Sequence, residues 1–372
     1  MIPVLFQELP AKDDKLIGIA TLNAEKSLNS LSAEMVGLLR AVLENWQKND
    51  RVVCVFLQGA GEKAFCAGGD VRKVYDSILA CGDATHNEYA RAFFESEYRL
   101  DYLIHKFPKP IVVWGHGIVM GGGIGLMSGA SHRVVTEKSR LAMPEINIGL
   151  YPDVGGTWFL NHAPGRTGLF LGLTGASINA TDALFVGLAD RFIPDAQRQA
   201  VVGALQQADF GEASAVHGSV VSGVLREFEA RELLPEGAVA KHLELINRVT
   251  DADSCAEICA RILALETEDA WLQKGISQLA KGCPTTAHLV YEQLRRGKKL
   301  SLEQVFQMEL IMSLQCSRHG DFAEGVRALL VDKTAAPQWR FASVADVPAA
   351  WVDAHFSAPW GESANPLVNL GV

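Results

Sequence analysis

The sequence predicts an α/β fold whose last third is mainly helical. Three observations carry this. Short runs of β-forming residues alternate with segments of helical periodicity, glycine-rich turns follow two of those runs, and the β-signal fades from about Thr181 onward.

Taken in order, Leu16 to Leu22 and Val52 to Gln58 read as strands, and the segment between them reads as a helix. There Met35, Leu38, Leu39, Val42, Leu43 and Trp46 recur at helical spacing, with Ser32 as N-cap and Glu34 in the first turn. Ile111 to Trp114 is a β-branched and aromatic strand, followed by glycines at 115, 117, 121, 122, 123 and 125 and an apolar helical stretch. Arg133 to Thr136 and Ser139 to Ala142 read as further short strands, ending in Met143-Pro144-Glu145. Later, Ser301 to Gln304 forms a capping box ahead of Val305, Phe306, Leu310 and Met312. There is no internal repeat or low-complexity linker, and the expected division is a core over residues 1–200 and a mainly helical lobe over 201–372.

With 372 residues and 48% hydrophobic content the chain can bury a large core. Its formal charge of −9 gives no support to nucleic acid or an anionic membrane as partner. The seven cysteines, Cys54, Cys66, Cys81, Cys255, Cys259, Cys283 and Cys316, are scattered and lack zinc-ribbon CxxC pairs, which points to a reducing cytosol. Met1 to Pro10 shows no basic segment followed by an apolar run, so the reading is a cytoplasmic protein without a secretory signal or presequence. Ile111 to Met127 is apolar enough to imitate a membrane span, but its six glycines and its shortness favour a buried strand, loop and helix.

Two turns can carry chemistry, Ala64-Phe65-Cys66-Ala67-Gly68-Gly69-Asp70 and Gly117-Ile118-Val119-Met120-Gly121-Gly122-Gly123. Glycine lets the main chain take up φ > 0 and lets a ligand approach it, so two such turns can aim two N–H groups at one oxygen. The plainer reading is tight turns with close helix packing. A dinucleotide site fails on spacing, because Gly115-His116-Gly117 has Met120 where the third glycine belongs, and no lysine follows at P-loop spacing.

Glu145 and Asp153 sit among apolar residues, prolines and glycines, where a carboxylate is costly without a partner or a task. Burial there raises a carboxyl pKa toward neutrality and suits it to acid/base work; capping a helix or bonding a loop is the alternative. Cys66 beside a glycine turn reads as packing rather than as a nucleophile. The ten histidines show no metal-binding spacing, and no metal or cofactor is expected.

The two glycine turns, the Met143-Pro144-Glu145 segment and the Pro152-Asp153-Val154-Gly155-Gly156 run resemble, in this order and spacing, the crotonase (enoyl-CoA hydratase/isomerase) superfamily. That resemblance implies a spiral of β-β-α units and an acyl-CoA substrate. It also implies an oxyanion hole made by the N–H groups of Gly69 and Gly122. Ala64, Ala67, Gly68, Asp70 and Gly121 would line the substrate site, the first turn facing the pantetheine and adenine of CoA. Superfamily hydratases use two glutamates, one in a Gly-Gly-Gly-x-Glu context, whereas this chain reads Gly121-Gly122-Gly123-Ile124-Gly125 and retains only Glu145.

The 3-hydroxyisobutyryl-CoA hydrolases share that loss, and the resemblance extends to Asp153, to the Glu97-Tyr98 pair and to Arg318-His319-Gly320-Asp321-Phe322 near the C-terminus. It implies hydrolysis of 3-hydroxyisobutyryl-CoA, a reaction of valine catabolism, with Glu145 and Asp153 catalytic and Glu97 touching substrate. Read by charge pattern alone, Glu95, Glu97 and Arg99 form a solvated helix face. Hydration or isomerisation of another acyl-CoA, and acyl-CoA binding without turnover, are the competing functions. Superfamily members are often trimers or paired trimers, so a homo-oligomer is one expectation and a C-terminal lobe covering that surface is the other.

Overall fold

The computed structural model describes residues 2–81, 87–360 and 364–371. Two sheets organise the first part of the chain. The strands are β1 Val4–Pro10, β2 Leu16–Leu22, β3 Val52–Gly59, β4 Ala64–Cys66, β5 Ile111–Gly115, β6 Ile118–Met120, β7 His132–Val135, β8 Arg140–Ala142 and β9 Arg191–Phe192. A six-stranded sheet runs in the order β1-β2-β3-β5-β7-β9, and a three-stranded sheet in the order β4-β6-β8. From β3 onward, each long strand is followed by a short one and then by a helical turn. Val52–Gly59 and Ala64–Cys66 lead into helix Val71–Ala80, and Ile111–Gly115 and Ile118–Met120 lead into helix Gly122–Ser128. First strands gather in one sheet and second strands in the other, which is a spiral of β-β-α units.

The large sheet is parallel except for its edge, where β1 pairs antiparallel with β2. Its interior strands are buried almost throughout, which accounts for the uninterrupted apolar runs seen in the sequence. Helix Ala33–Lys48 begins as expected, with the Ser32 hydroxyl accepting from the Met35 N–H at 3.2 Å. Trp46 on that helix lies so close to Gly18 that a Cβ there would stand 2.9 Å from the indole ring. The core joins Ile17, Phe56, Val112, Trp114 and Val134 of the sheet to Val201, Leu205, Val221 and Leu225 of two later helices.

The chain divides into two compact units of non-contiguous segments, residues 1–69, 100–141 and 178–237 in the first and 70–99, 142–177 and 238–372 in the second. The cut expected near residue 200 falls inside the first unit. That unit also holds β9, a two-residue strand beyond Thr181 that is too short to leave an alternating pattern. The second unit is helical. Its longest C-terminal helix, Leu302–His319, opens with the expected capping box, the Ser301 hydroxyl bonded to the Gln304 N–H and the Gln304 side chain to the Ser301 N–H. Among the described residues no helix is long and apolar enough to cross a membrane, and Ile111 to Met127 folds as two strands and a helix.

Candidate active site

In the first unit, β4 and β6 run parallel, Ala64 opposite Ile118 and Cys66 opposite Val119, so the two glycine turns leave neighbouring strands at the same end. They pack closely. A Cβ on Gly123 would lie 2.4 Å from the Cys66 carbonyl oxygen, and one on Gly117 would lie 2.3 Å from that of Lys63. Gly68 adopts φ +112° and Gly121 φ +48°, conformations that favour glycine. Gly122 opens helix Gly122–Ser128, where the first N–H groups have no intrahelical acceptor. Among the described residues neither the Gly69 nor the Gly122 N–H has a hydrogen-bond acceptor. Two main-chain donors on adjoining turns are thus left for a ligand. Ala64 and Cys66 are buried, and the Cys66 thiol points to the Gly68 carbonyl at 3.7 Å, which is packing. Asp70 caps the next helix, accepting from the Lys73 N–H at 3.4 Å.

The second unit holds a cluster of buried carboxyls. Glu145 sits on the single helical turn Glu145–Asn147, pinned where the Cys283 N–H donates to the Ile146 carbonyl at 2.8 Å. It is 5% exposed, and its Oε2 has no hydrogen-bond partner among the described residues. Burial pushes its carboxyl well above the usual range, and the nearby Asp153 charge pushes it further. Asp153 is also 5% exposed and accepts from the Tyr98 hydroxyl at 2.7 Å. Burial raises it to about 6 against the lowering pull of that bond. Glu97 is buried too, with Oε1 unpartnered among the described residues, and burial and then Asp153 raise its pKa well above normal. The charge pattern misled here. Glu95 bonds Arg99 at 3.1 Å on the wetter side of the helix, while Glu97 faces inward with Phe93, Phe94 and Tyr98.

Two residues that sequence reasoning missed complete the cluster. Glu309, fully buried on helix Leu302–His319, accepts from the N–H groups of Gly155 at 2.8 Å and Thr157 at 2.9 Å. It thereby fixes the loop that carries Asp153, and burial lifts its pKa to about 8 despite those two bonds. Ser313, one helical turn on, lies 2.6 Å from the Tyr98 oxygen and 2.8 Å from the Tyr151 oxygen. Their signal was helical phase, since 309, 313 and 316 share the buried face set by Val305 and Phe306. Next to Asp153, Val154 adopts φ +52°, a left-handed conformation that β-branched residues rarely take up.

The sequence description of enoyl-CoA hydratase/isomerase matches residues 17–356. The chain belongs to the enoyl-CoA hydratase/isomerase family. Within that family it falls in the 3-hydroxyisobutyryl-CoA hydrolase subfamily. It is 37% identical to the mitochondrial 3-hydroxyisobutyryl-CoA hydrolase of Danio rerio over 92% of this chain and 87% of that one. To the human protein of the same name it is 32% identical over 92% and 86%. Among solved structures it resembles an enoyl-CoA hydratase from Rhodobacter sphaeroides, with TM-score 0.83 and 34% identity over 96% of this chain and 97% of that one. A carnitinyl-CoA dehydratase from Mycobacterium thermoresistibile gives TM-score 0.83 and 34% identity over 98% and 97%. The fold is therefore the crotonase spiral, carrying a helical C-terminal region.

Proposed function

We propose that this family member hydrolyses 3-hydroxyisobutyryl-CoA to 3-hydroxyisobutyrate and free CoA. The observation that carries the reading is the carboxyl set. Glu145 is buried beside Asp153 with one oxygen unpartnered among the described residues, while the Gly-Gly-Gly-x position that would hold a second acid is Gly125. Syn addition of water by two opposed carboxylates lacks one of them.

In this reading the amides of Gly69 and Gly122 take the thioester oxygen, with Ala64, Ala67, Gly68, Asp70 and Gly121 bordering the CoA ester. Each such donor is typically worth roughly 3–4 kcal/mol to a developing oxyanion. Glu145 either attacks the carbonyl carbon to give a mixed anhydride or takes a proton from attacking water; Asp153 orients water or the substrate hydroxyl and shares proton transfer. Single-turnover hydrolysis in isotopically labelled water places label in Glu145 only if an anhydride forms and water attacks its enzyme-side carbonyl, so label there establishes the anhydride, whereas label confined to product fits both routes. Glu97 would meet the acyl end of the substrate.

The structural relatives named hydratase and dehydratase support a second reading, addition or removal of water on an acyl-CoA. A panel of CoA esters decides between them. Thiol release from 3-hydroxyisobutyryl-CoA with no absorbance loss on crotonyl-CoA is the expected result, and the reverse pattern ends the proposal. Binding of CoA esters with neither reaction would mark a non-catalytic protein. We also place the protein in a reducing compartment, the cytosol in our reading, on the strength of seven free cysteines; fractionation of source cells tests this, since the hydrolase relatives are named mitochondrial.

A further inference from the structure

Four short oxygen contacts join Asp153 to the main chain of helix Leu302–His319. Tyr98 to Asp153 Oδ2 is 2.7 Å, Tyr98 to Ser313 is 2.6 Å, Ser313 to Tyr151 is 2.8 Å, and Tyr151 to the Glu309 carbonyl is 2.5 Å. Both ends of this chain can only accept, a carboxylate at one and a carbonyl at the other. The three hydroxyls between them carry one hydrogen each. Three hydrogens cannot fill four contacts. With Asp153 ionised, one short oxygen pair is left facing without a hydrogen in a buried site, where such a defect is costly. A proton on Asp153 supplies the fourth. All bonds then point one way, Asp153 to Tyr98 to Ser313 to Tyr151 to the Glu309 carbonyl.

We propose that Ser313, acting through Tyr98 and Tyr151, is a positioning residue that holds Asp153 in its neutral form, so that Asp153 enters the reaction as proton donor and Glu145 as the basic partner. This rests on the thioesterase reading above. The bond changes balance on either route. The C–S bond breaks with its electron pair going to sulfur, and the sulfur takes the Asp153 proton. Asp153 is left as a carboxylate, Tyr98 donates to it, and the proton surrendered by the hydrolytic water restores the acid. Six titratable groups face Asp153, and a negative charge on it opposes the ionisation of each. They are Glu97 and Tyr98 from helix Glu88–His105, Glu145 and Tyr151 from the loops after β8, and Glu309 and Cys316 from helix Leu302–His319. A neutral Asp153 removes the like charge that opposes ionisation of Glu145.

The test is the Asp153 carboxyl itself, followed by carbon-13 NMR of aspartate-labelled full-length protein without ligand, with Asp153→Asn assigning the signal. Ser313→Ala and Tyr151→Phe each leave two hydrogens for two contacts, so the ionised form is no longer short of one. Both should lower the Asp153 midpoint by about one pH unit. Tyr98→Phe removes the donor to the carboxylate and should move it the other way. Ser313→Thr restores the hydroxyl and should restore the wild-type midpoint. In thiol-release kinetics the alkaline limb of kcat/KM should shift down in parallel for Ser313→Ala. An unmoved midpoint in both Ser313→Ala and Tyr151→Phe overturns the relay, whatever the activity; so does a lowered rate with an unchanged pH profile. Shifted midpoints in a protein that hydrolyses none of the CoA esters would refute the thioesterase reading and Asp153 as its donor, while upholding the relay's hold on the proton.

Discussion

Glu309 accepts a 2.8 Å hydrogen bond from the Gly155 N–H, across 154 residues of sequence. The pair ties the loop behind Asp153 to a helix near the C-terminus, through a carboxyl that burial raises to about 8. Asp153 is raised to about 6, against ordinary values of 3.8 for Asp153 and 4.5 for Glu309. Between its ordinary and its raised value, the folded state keeps a proton that the unfolded chain has released. Stability is then fully present below about pH 4 and falls as pH rises through 6 and 8. The urea midpoint of wild type relative to Glu309→Gln should therefore fall as pH rises from about 5 to 8; the comparison cancels His105 and His355, which burial holds down at about 4 and which favour the fold as pH rises toward 6.5. One of the two main-chain N–H groups then meets an amide NH2 instead of an oxygen, so that variant should also cost about 1–3 kcal/mol at pH 5. A wild-type advantage over Glu309→Gln that grows from pH 5 to 8 would contradict the assignment.

Glu145→Gln replaces the buried carboxyl by an amide of the same shape. Turnover of 3-hydroxyisobutyryl-CoA should fall at least about 100-fold, the scale of acid/base or nucleophilic groups, with an unchanged circular dichroism spectrum and an equal or higher melting temperature. Asp153→Asn should behave likewise. Near-wild-type turnover in folded Glu145→Gln would remove the mechanism.

Gly123→Ala places a methyl group where the Cys66 carbonyl stands 2.4 Å away, and the obstruction is backbone rather than a movable side-chain tip. The two glycine turns must part to admit it. We expect a loss of about 1–3 kcal/mol in stability and, if the Gly122 amide moves with the turn, a fall in kcat of roughly 100-fold or more. Steady-state kinetics beside a denaturant titration checks both.

Cys66→Ala should keep turnover well short of the roughly 100-fold loss that marks a catalytic group, because the thiol is buried and turned toward the Gly68 carbonyl. Inactivation of the folded variant would make the thiol, rather than Glu145, the nucleophile.

The strands from Leu16 to Leu22 and from Ile111 onward were legible because a sheet buried on both faces writes unbroken apolar runs into sequence. Ser32 and Ser301 were legible because capping is local chemistry. Strand Val4–Pro10 was not, since an edge strand exposed along much of its length mixes polar and apolar residues and ends in proline. The carboxyls at 145 and 153 stood out against apolar neighbours, and the glycine turns marked themselves by composition. Glu309 and Ser313 did not stand out by type, as acids and serines on helices usually face water. Only the phase of Val305, Phe306 and Leu310 around them indicates an inward direction. Their partners Gly155 and Tyr98 lie 154 and 215 residues away. A bond over that separation has no local signature.

Val154, with its φ of +52°, binds durability to turnover. Holding a β-branched residue there costs on the order of 1–2 kcal/mol, yet the side chain is 1% exposed and its burial is worth roughly 1.5–3 kcal/mol. Glycine would relieve the twist and forfeit the larger sum, while freeing the chain next to the acid. Val154→Gly should therefore lose heat resistance and turnover together, so that one packed isopropyl group serves endurance and speed alike.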